Sequence, residues 1–269
     1  MKEKRACPAC NSTNSKTVYQ VESFQIVKCK VCNLVYLLNP PTDDTLYEQY
    51  YTGEDPDPND YRSNSPDASL TELWTLNQQR IKVLKRLQPE GTLLDIGCGC
   101  GFFLKSAAKA GYFVQGVDIA KRAIEFATNV LNVPATVSTI HELMNNRHRF
   151  HVITLWHVLE HFSDPYLALR TIRALLQDDG ICILEVPNLY SLKFALARNK
   201  WSGGNHPLYH RTFFTALTLQ RAFKETGFSR VNRLNLSYTL PGRSVLYESI
   251  KRGLNLIACD AFLTYAMRK

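Results

Sequence analysis

The chain has 269 residues, a formal net charge of +8 and 45% hydrophobic residues. This length allows one sizeable α/β domain and a small extra module, with enough apolar residues for a core. The first residues are mostly charged and lead into cysteines, and no stretch approaches the roughly 18 apolar residues of a membrane span. We therefore expect a cytoplasmic protein with neither a signal peptide nor a membrane span.

The positive charge is unevenly distributed. Residues 1–40 carry about +4, residues 41–72 about −8 and residues 190–269 about +10. The cations of the last region are scattered and do not form a run. This favours a solvated basic surface over a surface that binds nucleic acid or acidic lipid.

Two C-x-x-C pairs lie near the beginning, with 18 residues between them: Cys7, Cys10, Cys29 and Cys32. Four such sulfurs reach one tetrahedral ion, so the spacing predicts a closed structural zinc site. The intervening residues 16–21 and 25–28 are plausible strands of a hairpin. A redox-active pair and an iron centre of the rubredoxin type are the alternatives.

The chain is predicted to have three parts. Residues 1–45 form the zinc-ribbon module, and a segment this small relies on metal for much of its stability. Residues 46–69 are acidic and rich in turn formers, which is typical of a linker or a flap. Residues 70–269 form the main domain.

Helical and strand patterns alternate along the main domain, which predicts a parallel sheet with helices on both faces. The predicted helices are 70–87, 101–110, 121–131, 166–176 and 216–226, and Asp178 to Gly180 are expected to close the fourth. The predicted strands are 93–96, 113–118, 135–137, 151–155, 181–186 and 228–236.

The most informative segment is the strand, turn and helix start at residues 93–101. Gly97, Gly99 and Gly101 let the backbone turn sharply and approach a ligand, and the following helix presents its N–H groups to an anion. Asp118 ends the next strand, 23 residues after Asp95. A carboxylate there is placed to accept hydrogen bonds from a ribose. A nucleoside-like ligand is therefore predicted, and an ordinary tight turn with a surface acid is the alternative.

The pattern D-x-G-x-G-x-G and the later acid resemble the class I S-adenosylmethionine-dependent methyltransferases. They depart from the G-x-G-x-x-G pattern of dinucleotide enzymes, which weakens a dehydrogenase interpretation. The resemblance implies a doubly wound, mostly parallel seven-stranded sheet, and residues 262–267 resemble its antiparallel last strand. It assigns S-adenosylmethionine contacts to Asp95, Gly97, Cys98, Gly99, Gly101, Asp118, Ile119, Trp156 and His157.

The segment 154–165 resembles the family's L-E-H region. The resemblance places Glu160 and His161 near the reacting end, and His161 is the first candidate base because imidazole titrates near neutral pH. A structural hydrogen bond from His161 is the alternative. The same letters spell H-x-x-E-H, a zinc-protease pattern, which we reject because it follows a strand of a nucleoside-binding sheet.

A second candidate for chemistry is the glycine-rich loop 201–211. It contains His206, lies after the fifth strand of the main domain and resembles the H-L-Y stretch of small-molecule methyltransferases. Pro207 departs from the commonest form of that stretch. Aromatic and imidazole side chains in such a loop suit acceptor binding. The alternative is a loop packed by its own aromatic side chains.

These features predict a methyltransferase that uses S-adenosylmethionine and structural Zn²⁺ and acts on an oxygen or carbon of a small molecule. A nucleotide-linked sugar, a quinol and a secondary metabolite are the candidate acceptors. An RNA methyltransferase whose ribbon holds RNA would bind with strong salt dependence, but basic and aromatic residues do not interleave in the ribbon. A cofactor-binding protein without catalysis is the third hypothesis. Oligomeric state stays open.

Overall fold

The computed structural model describes residues 4–21, 23–40, 70–145, 147–189, 210–234 and 262–269. These residues form a four-stranded sheet and a seven-stranded sheet. The predicted linker at 46–69, the module boundary at residue 45 and the candidate His206 lie outside the described residues. No helix among the described residues is long and apolar enough to cross a membrane.

The small sheet contains the predicted ribbon hairpin. Strands β1 (Ser15–Val21), β2 (Phe24–Cys29) and β3 (Val35–Leu37) pair antiparallel in that order. A fourth strand, β9 (Thr212–Phe213), comes from the far end of the chain and pairs antiparallel with β3. Sequence patterns did not predict this strand, because a two-residue strand has no periodicity to detect.

The main sheet contains the strands β4 (Thr92–Ile96), β5 (Phe113–Asp118), β6 (Ala135–Val137), β7 (Phe150–Trp156), β8 (Leu176–Pro187), β10 (Ser229–Leu234) and β11 (Phe262–Arg268). Their order in the sheet is β10-β11-β8-β7-β4-β5-β6. All of its strands run parallel except β11, which is antiparallel to both of its neighbours. The predicted mostly parallel, doubly wound sheet with an antiparallel last strand is confirmed.

Helices connect these strands, and all of them except the four-residue helix Ile140–Leu143 were predicted from the sequence. They are α1 (Leu70–Leu87), α2 (Phe102–Lys109), α3 (Lys121–Asn129), α4 (Ile140–Leu143), α5 (Pro165–Leu175) and α6 (Ala216–Glu225). Asp164 caps α5 by accepting the Leu167 N–H at 2.8 Å, with proline at the first helical position. Thr215 and Thr218 form a reciprocal cap at the start of α6.

The end of α5 differs from the prediction. Asp178 to Gly180 do not close the helix, because the chain is already in strand β8 from Leu176 onward. Leu176 pairs with Phe150 of β7, and a fully buried leucine in a sheet register outweighs the local turn preference of two aspartates and a glycine.

The ribbon and the main sheet share one hydrophobic core. Buried Leu34 and Tyr36 belong to the same packed cluster as Tyr166 and Leu169 of α5 and Phe214 before α6. Cys7, Cys29 and Cys32 lie in that cluster as well. The ribbon is therefore built into the main domain where the described parts of the two meet.

Candidate functional site

The three glycines in the turn between β4 and α2 have different surroundings. Gly97, Gly99 and Gly101 all have positive φ, at 72°, 51° and 79°. A Cβ at Gly97 would meet Val158 at 2.3 Å, and one at Gly101 would meet Ala127 at 2.9 Å. A Cβ at Gly99 would have no described atom within 4 Å. The outer two glycines thus permit close packing, and the middle one faces open space.

Asp118 lies beside this turn at the end of β5. Its two carboxylate oxygens accept the Gly99 N–H at 2.8 Å and the Ala120 N–H at 2.9 Å. Burial raises the pKa of Asp118, while these N–H groups favour the charged form. Each oxygen has a further lone pair, so the carboxylate is fixed in place and still able to accept a ligand hydroxyl.

Asp95 lies below the turn and faces the protein. Its side chain is fully buried and accepts a hydrogen bond from the Thr154 hydroxyl at 2.6 Å. Burial raises its pKa to about 7. This bond ties β4 to β7 under the turn, so Asp95 supports the turn from below.

Trp156 ends strand β7 with one face covered. The Arg80 guanidinium of α1 lies over the ring, 4.1 Å from its centroid, and the Phe103 ring of α2 meets it edge-on at 5.1 Å. The indole is partly exposed. A cation and an aromatic edge therefore hold it as a rigid wall beside the turn.

A buried charged network lies beneath Trp156 and His157. Glu185 of β8 accepts from Arg80 at 2.9 Å and from the Thr264 hydroxyl at 2.7 Å. The His157 ring Nε2 lies 3.0 Å from the same carboxylate, and the His157 backbone N–H donates to the Glu185 backbone carbonyl at 2.9 Å. His157 has φ of 60°, so these two contacts hold it in the left-handed region.

Three proton-binding side chains converge where the loop after β7 meets β9. Ligand atoms of Glu160, His161 and His210 all lie within 4.8 Å of one another. The two imidazole rings meet edge-on with centroids 4.8 Å apart. Neither Glu160 oxygen has a hydrogen-bond partner among the described residues, and burial raises the pKa of this carboxyl to about 8.

The four predicted metal ligands also come together. The Cys7 and Cys32 sulfurs are 3.4 Å apart and those of Cys10 and Cys29 are 3.6 Å apart. A tetrahedron with Zn–S bonds of about 2.3 Å has sulfur–sulfur edges of about 3.8 Å. Backbone N–H groups of Ala9 and Cys10 point at the Cys7 sulfur, which suits a thiolate. The donor set fits a tetrahedral, thiolate-binding ion.

The two C-x-x-C pairs share a feature that the spacing alone did not reveal. Each C-x-x-C is followed by an asparagine, and Asn11 and Asn33 have φ of 57° and 65°. Each asparagine N–H donates to the carbonyl of the first cysteine of its pair, at 2.9 and 3.1 Å. Asparagine tolerates this conformation better than most residues, so C-x-x-C-N was an available signal.

The structure thus brings most of the predicted residues to one edge. Asp95 and Cys98 are exceptions. The Asp95 side chain is buried and faces Thr154, and the Cys98 side chain is buried and lies close to Gly116, so neither side chain faces the ligand side of the turn. Ile119 is partly exposed next to Asp118. Sequence reasoning missed Glu185 and Arg80 as members of the site, while His210 lies in the predicted acceptor loop 201–211 but was not singled out. The available signals were an acid near the end of a buried strand and an arginine on the buried face of helix α1.

Comparison with known proteins now identifies the family. Residues 70–232 match the model of a methyltransferase domain. The chain belongs to this family. The match covers the glycine turn, the L-E-H loop and His210.

Curated relatives match over a shorter stretch. Ubiquinone biosynthesis O-methyltransferases of Actinobacillus pleuropneumoniae and Haemophilus ducreyi are 29% and 32% identical over 137 residues. These alignments take in 46% of this chain and 58% of each relative. The chain therefore spans little more than half the length of these relatives.

Solved structures confirm the fold. The plantazolicin methyltransferase aligns with a TM-score of 0.58 at 16% identity, covering 83% of this chain and 94% of that one. The magnesium protoporphyrin IX methyltransferase of Synechocystis aligns with a TM-score of 0.56 at 16% identity, covering 84% and 100%. Both structures contain S-adenosylhomocysteine, the product that remains after methyl transfer.

Proposed function

We propose that the protein transfers a methyl group from S-adenosylmethionine to a hydroxyl oxygen of a small molecule. The observation that carries this proposal is the contact of Val158 with Gly97. It places the loop bearing Glu160 and His161 directly against the glycine turn. Proton-accepting side chains and a nucleoside-type turn therefore share one edge of the sheet.

The donor half fits S-adenosylmethionine. The open space at Gly99 admits a ligand against the backbone, and the Asp118 carboxylate is held at the position of a ribose acceptor. Trp156 closes one side as an apolar wall. The bound donor supplies an activated methyl group on a sulfonium, so the protein has only to orient the acceptor, exclude water and accept a proton.

The half of the site that binds the methyl acceptor also contains the group that takes up the proton. We assign the removal of the hydroxyl proton to a ring nitrogen of His161, with His210 beside it to bind the acceptor and the buried Glu160 completing the cluster. His206 remains a predicted contributor from the neighbouring loop. The O-methyltransferase names of the curated relatives favour oxygen over carbon as the methylated atom.

We also propose that Cys7, Cys10, Cys29 and Cys32 hold a structural zinc ion. The support is the convergence of the four sulfurs and the N–H groups that face them. Four thiolates fill a tetrahedral ion completely, so this ion has no position left for chemistry.

The test uses methyl-labelled S-adenosylmethionine and two acceptor pools, a panel of phenols, catechols and sugars, and a cell extract. Label is separated by solvent extraction and by nuclease digestion. We expect label in a nuclease-resistant small-molecule fraction, with loss of at least about tenfold in the His161→Ala variant. Label released from large molecules by RNase would overturn the proposal and favour RNA as the acceptor.

Binding of the donor is tested separately by titration calorimetry. The Asp118→Asn variant is expected to weaken S-adenosylmethionine binding about tenfold or more, because a charged hydrogen-bond acceptor is lost. Exposed Asp179→Asn is the matched control and should bind normally. Tight binding with no turnover on any acceptor pool would favour a protein without catalysis.

A further inference from the structure

The ribbon reaches the acceptor half of the site through strand β9. Val35 and Tyr36 of β3 pair with Phe213 and Thr212, and the Leu37 N–H donates to the Arg211 carbonyl at 3.1 Å. His210 directly precedes these paired residues. The backbone that carries one wall of the site is therefore an edge strand of the ribbon's own sheet.

The opposite side of the same backbone is joined to the L-E-H loop. The Arg211 N–H donates to the Glu160 carbonyl at 2.8 Å, and the Arg211 side chain donates to the Ser163 hydroxyl. Arg211 thus lies between the ribbon on one side and the loop of Glu160 and His161 on the other. The distance between His210 and Glu160 depends on both attachments.

Arg5, near the start of the chain, contacts all of these segments. Its guanidinium donates to three carbonyl oxygens, those of Leu37 at 2.8 Å, Ser163 at 2.9 Å and Arg211 at 2.5 Å. The same group lies over the Tyr36 ring, 5.5 Å from its centroid. A planar guanidinium has five N–H donors in fixed directions, so one side chain fixes the ribbon, the L-E-H loop and β9 relative to one another.

The cysteine centre supports both attachments. Arg5 lies two residues before Cys7, and β3 begins three residues after Cys32. The Cys29 backbone N–H donates to the Leu34 carbonyl at 2.9 Å, which joins the second C-x-x-C pair to the residue before β3. A ribbon of this size has little core of its own, so release of its ion would loosen Arg5 and β3 together.

We propose that the N-terminal module forms part of the acceptor wall, with Arg5 and β3 acting as positioning elements that hold His210 against Glu160 and His161. The inference rests on the proposed function only for its effect on methyl transfer. The positioning itself is a property of the folded chain and is measurable without any substrate.

The test is hydrogen exchange of the full-length, zinc-loaded protein, followed by mass spectrometry of peptides. In Arg5→Ala we expect the amides of residues 211–213 to exchange at least about tenfold faster. The amides of β4 and β5 should keep their protection. Removal of zinc with a chelator should give the same local change, and zinc readdition should reverse it.

Arg173→Ala is the matched control. Arg173 also joins two segments by donating to a carbonyl, that of Gly227 at 2.8 Å, but from the last turn of α5. It should leave residues 211–213 protected. Arg5→Lys keeps the positive charge but loses the planar set of N–H donors, so it should give an intermediate exchange rate. Unchanged exchange in Arg5→Ala, or equal acceleration in β4 and β5, would overturn the proposal.

Kinetics complete the test and separate it from the proposed function. Arg5→Ala is expected to raise the acceptor KM or lower kcat about tenfold, with the affinity for S-adenosylmethionine within twofold of the parent. If the protein has no methyltransferase activity, the exchange result still decides the positioning role. If positioning is wrong, exchange is unchanged while Asp118→Asn still weakens donor binding.

Discussion

The two halves of the candidate site are built in different ways. Apart from Trp156 of β7, the donor half comes from one continuous stretch, β4 to the start of α3, in which each turn contacts its neighbour in sequence. The acceptor half combines the loop after β7, the residues around His210 and the N-terminal ribbon. A local motif therefore determines the donor half, whereas the acceptor half depends on contacts between distant segments.

The forces in the two halves differ accordingly. The donor half depends on backbone conformations at positive φ and on the absence of side chains at Gly97 and Gly101. The acceptor half depends on buried titratable groups: Glu160, and Glu185 in the network beneath the neighbouring Trp156 and His157, are both about 1% exposed. A change in the donor half should act by steric exclusion, and one in the acceptor half by electrostatics.

The largest effect is expected for Glu185→Gln. This change leaves the Arg80 guanidinium buried without its carboxylate partner, and breaking such a pair typically costs about 3–5 kcal/mol. It also removes the charge that holds His157. Urea denaturation of the parent and the variant at pH 7 measures the difference in unfolding free energy.

The matched control is Glu225→Gln. Glu225 pairs with Arg221 at 2.6 Å, closer than the buried pair, but both side chains are more than a third exposed. Exposed pairs contribute less than about 1 kcal/mol. Equal losses in the two variants would contradict the view that burial, and not distance, sets the importance of Glu185.

A glycine series tests the donor half next. Gly97→Ala combines a positive φ with a Cβ that lies 2.3 Å from Val158, so we expect a loss of at least about 2 kcal/mol of stability. Gly99→Ala has the positive φ but open space, so it should lose only about 1 kcal/mol and reduce donor affinity by blocking the turn.

Gly111→Ala serves as the control for strain alone. It also has a positive φ, 91°, and no described atom within 4 Å, but it lies in the turn between α2 and β5. Thermal unfolding and calorimetric titration with S-adenosylmethionine separate the three variants. Normal donor binding by Gly99→Ala would show that the open space at this turn is not the ligand position.

The same contrast explains what the sequence could predict. Strand, turn and helix patterns predicted six of the seven strands of the main sheet, because buried strands and amphipathic helices have a clear period, and the family resemblance supplied the seventh at 262–267. Asp118 and the glycines were placed correctly beside one another because the interval between them is a single helix and strand. Local rules are sufficient where the contacts are local.

Prediction failed where tertiary contacts override local preference. Strand β9 exists only because β3 offers an open edge, and the start of β8 at Leu176 depends on its pairing with Phe150. Likewise, neither Arg5 nor His210 carries a motif that points to the other. Their roles arise from three-dimensional proximity, which no single-sequence pattern contains.

The pH dependence contributed by Glu160 is the effect most specific to the acceptor half. Burial raises the pKa of its carboxyl to about 8 in the folded chain, against about 4.3 when unfolded. Between these values the unfolded chain releases the proton and the folded chain keeps it. The contribution of Glu160 to stability is therefore greatest below the unfolded pKa and decreases as pH rises toward 8.

Glu160→Gln removes this titration. The unfolding free energy of the variant minus that of the parent should therefore be larger at pH 8 than at pH 5, by at least about 1 kcal/mol. Asp95, whose pKa is raised to about 7, titrates in both proteins and largely cancels in the difference. Urea denaturation at the two pH values measures it. A difference that does not change with pH would mean that Glu160 is already ionised in the folded protein, and the acceptor half would then owe its arrangement to packing and not to a buried neutral acid.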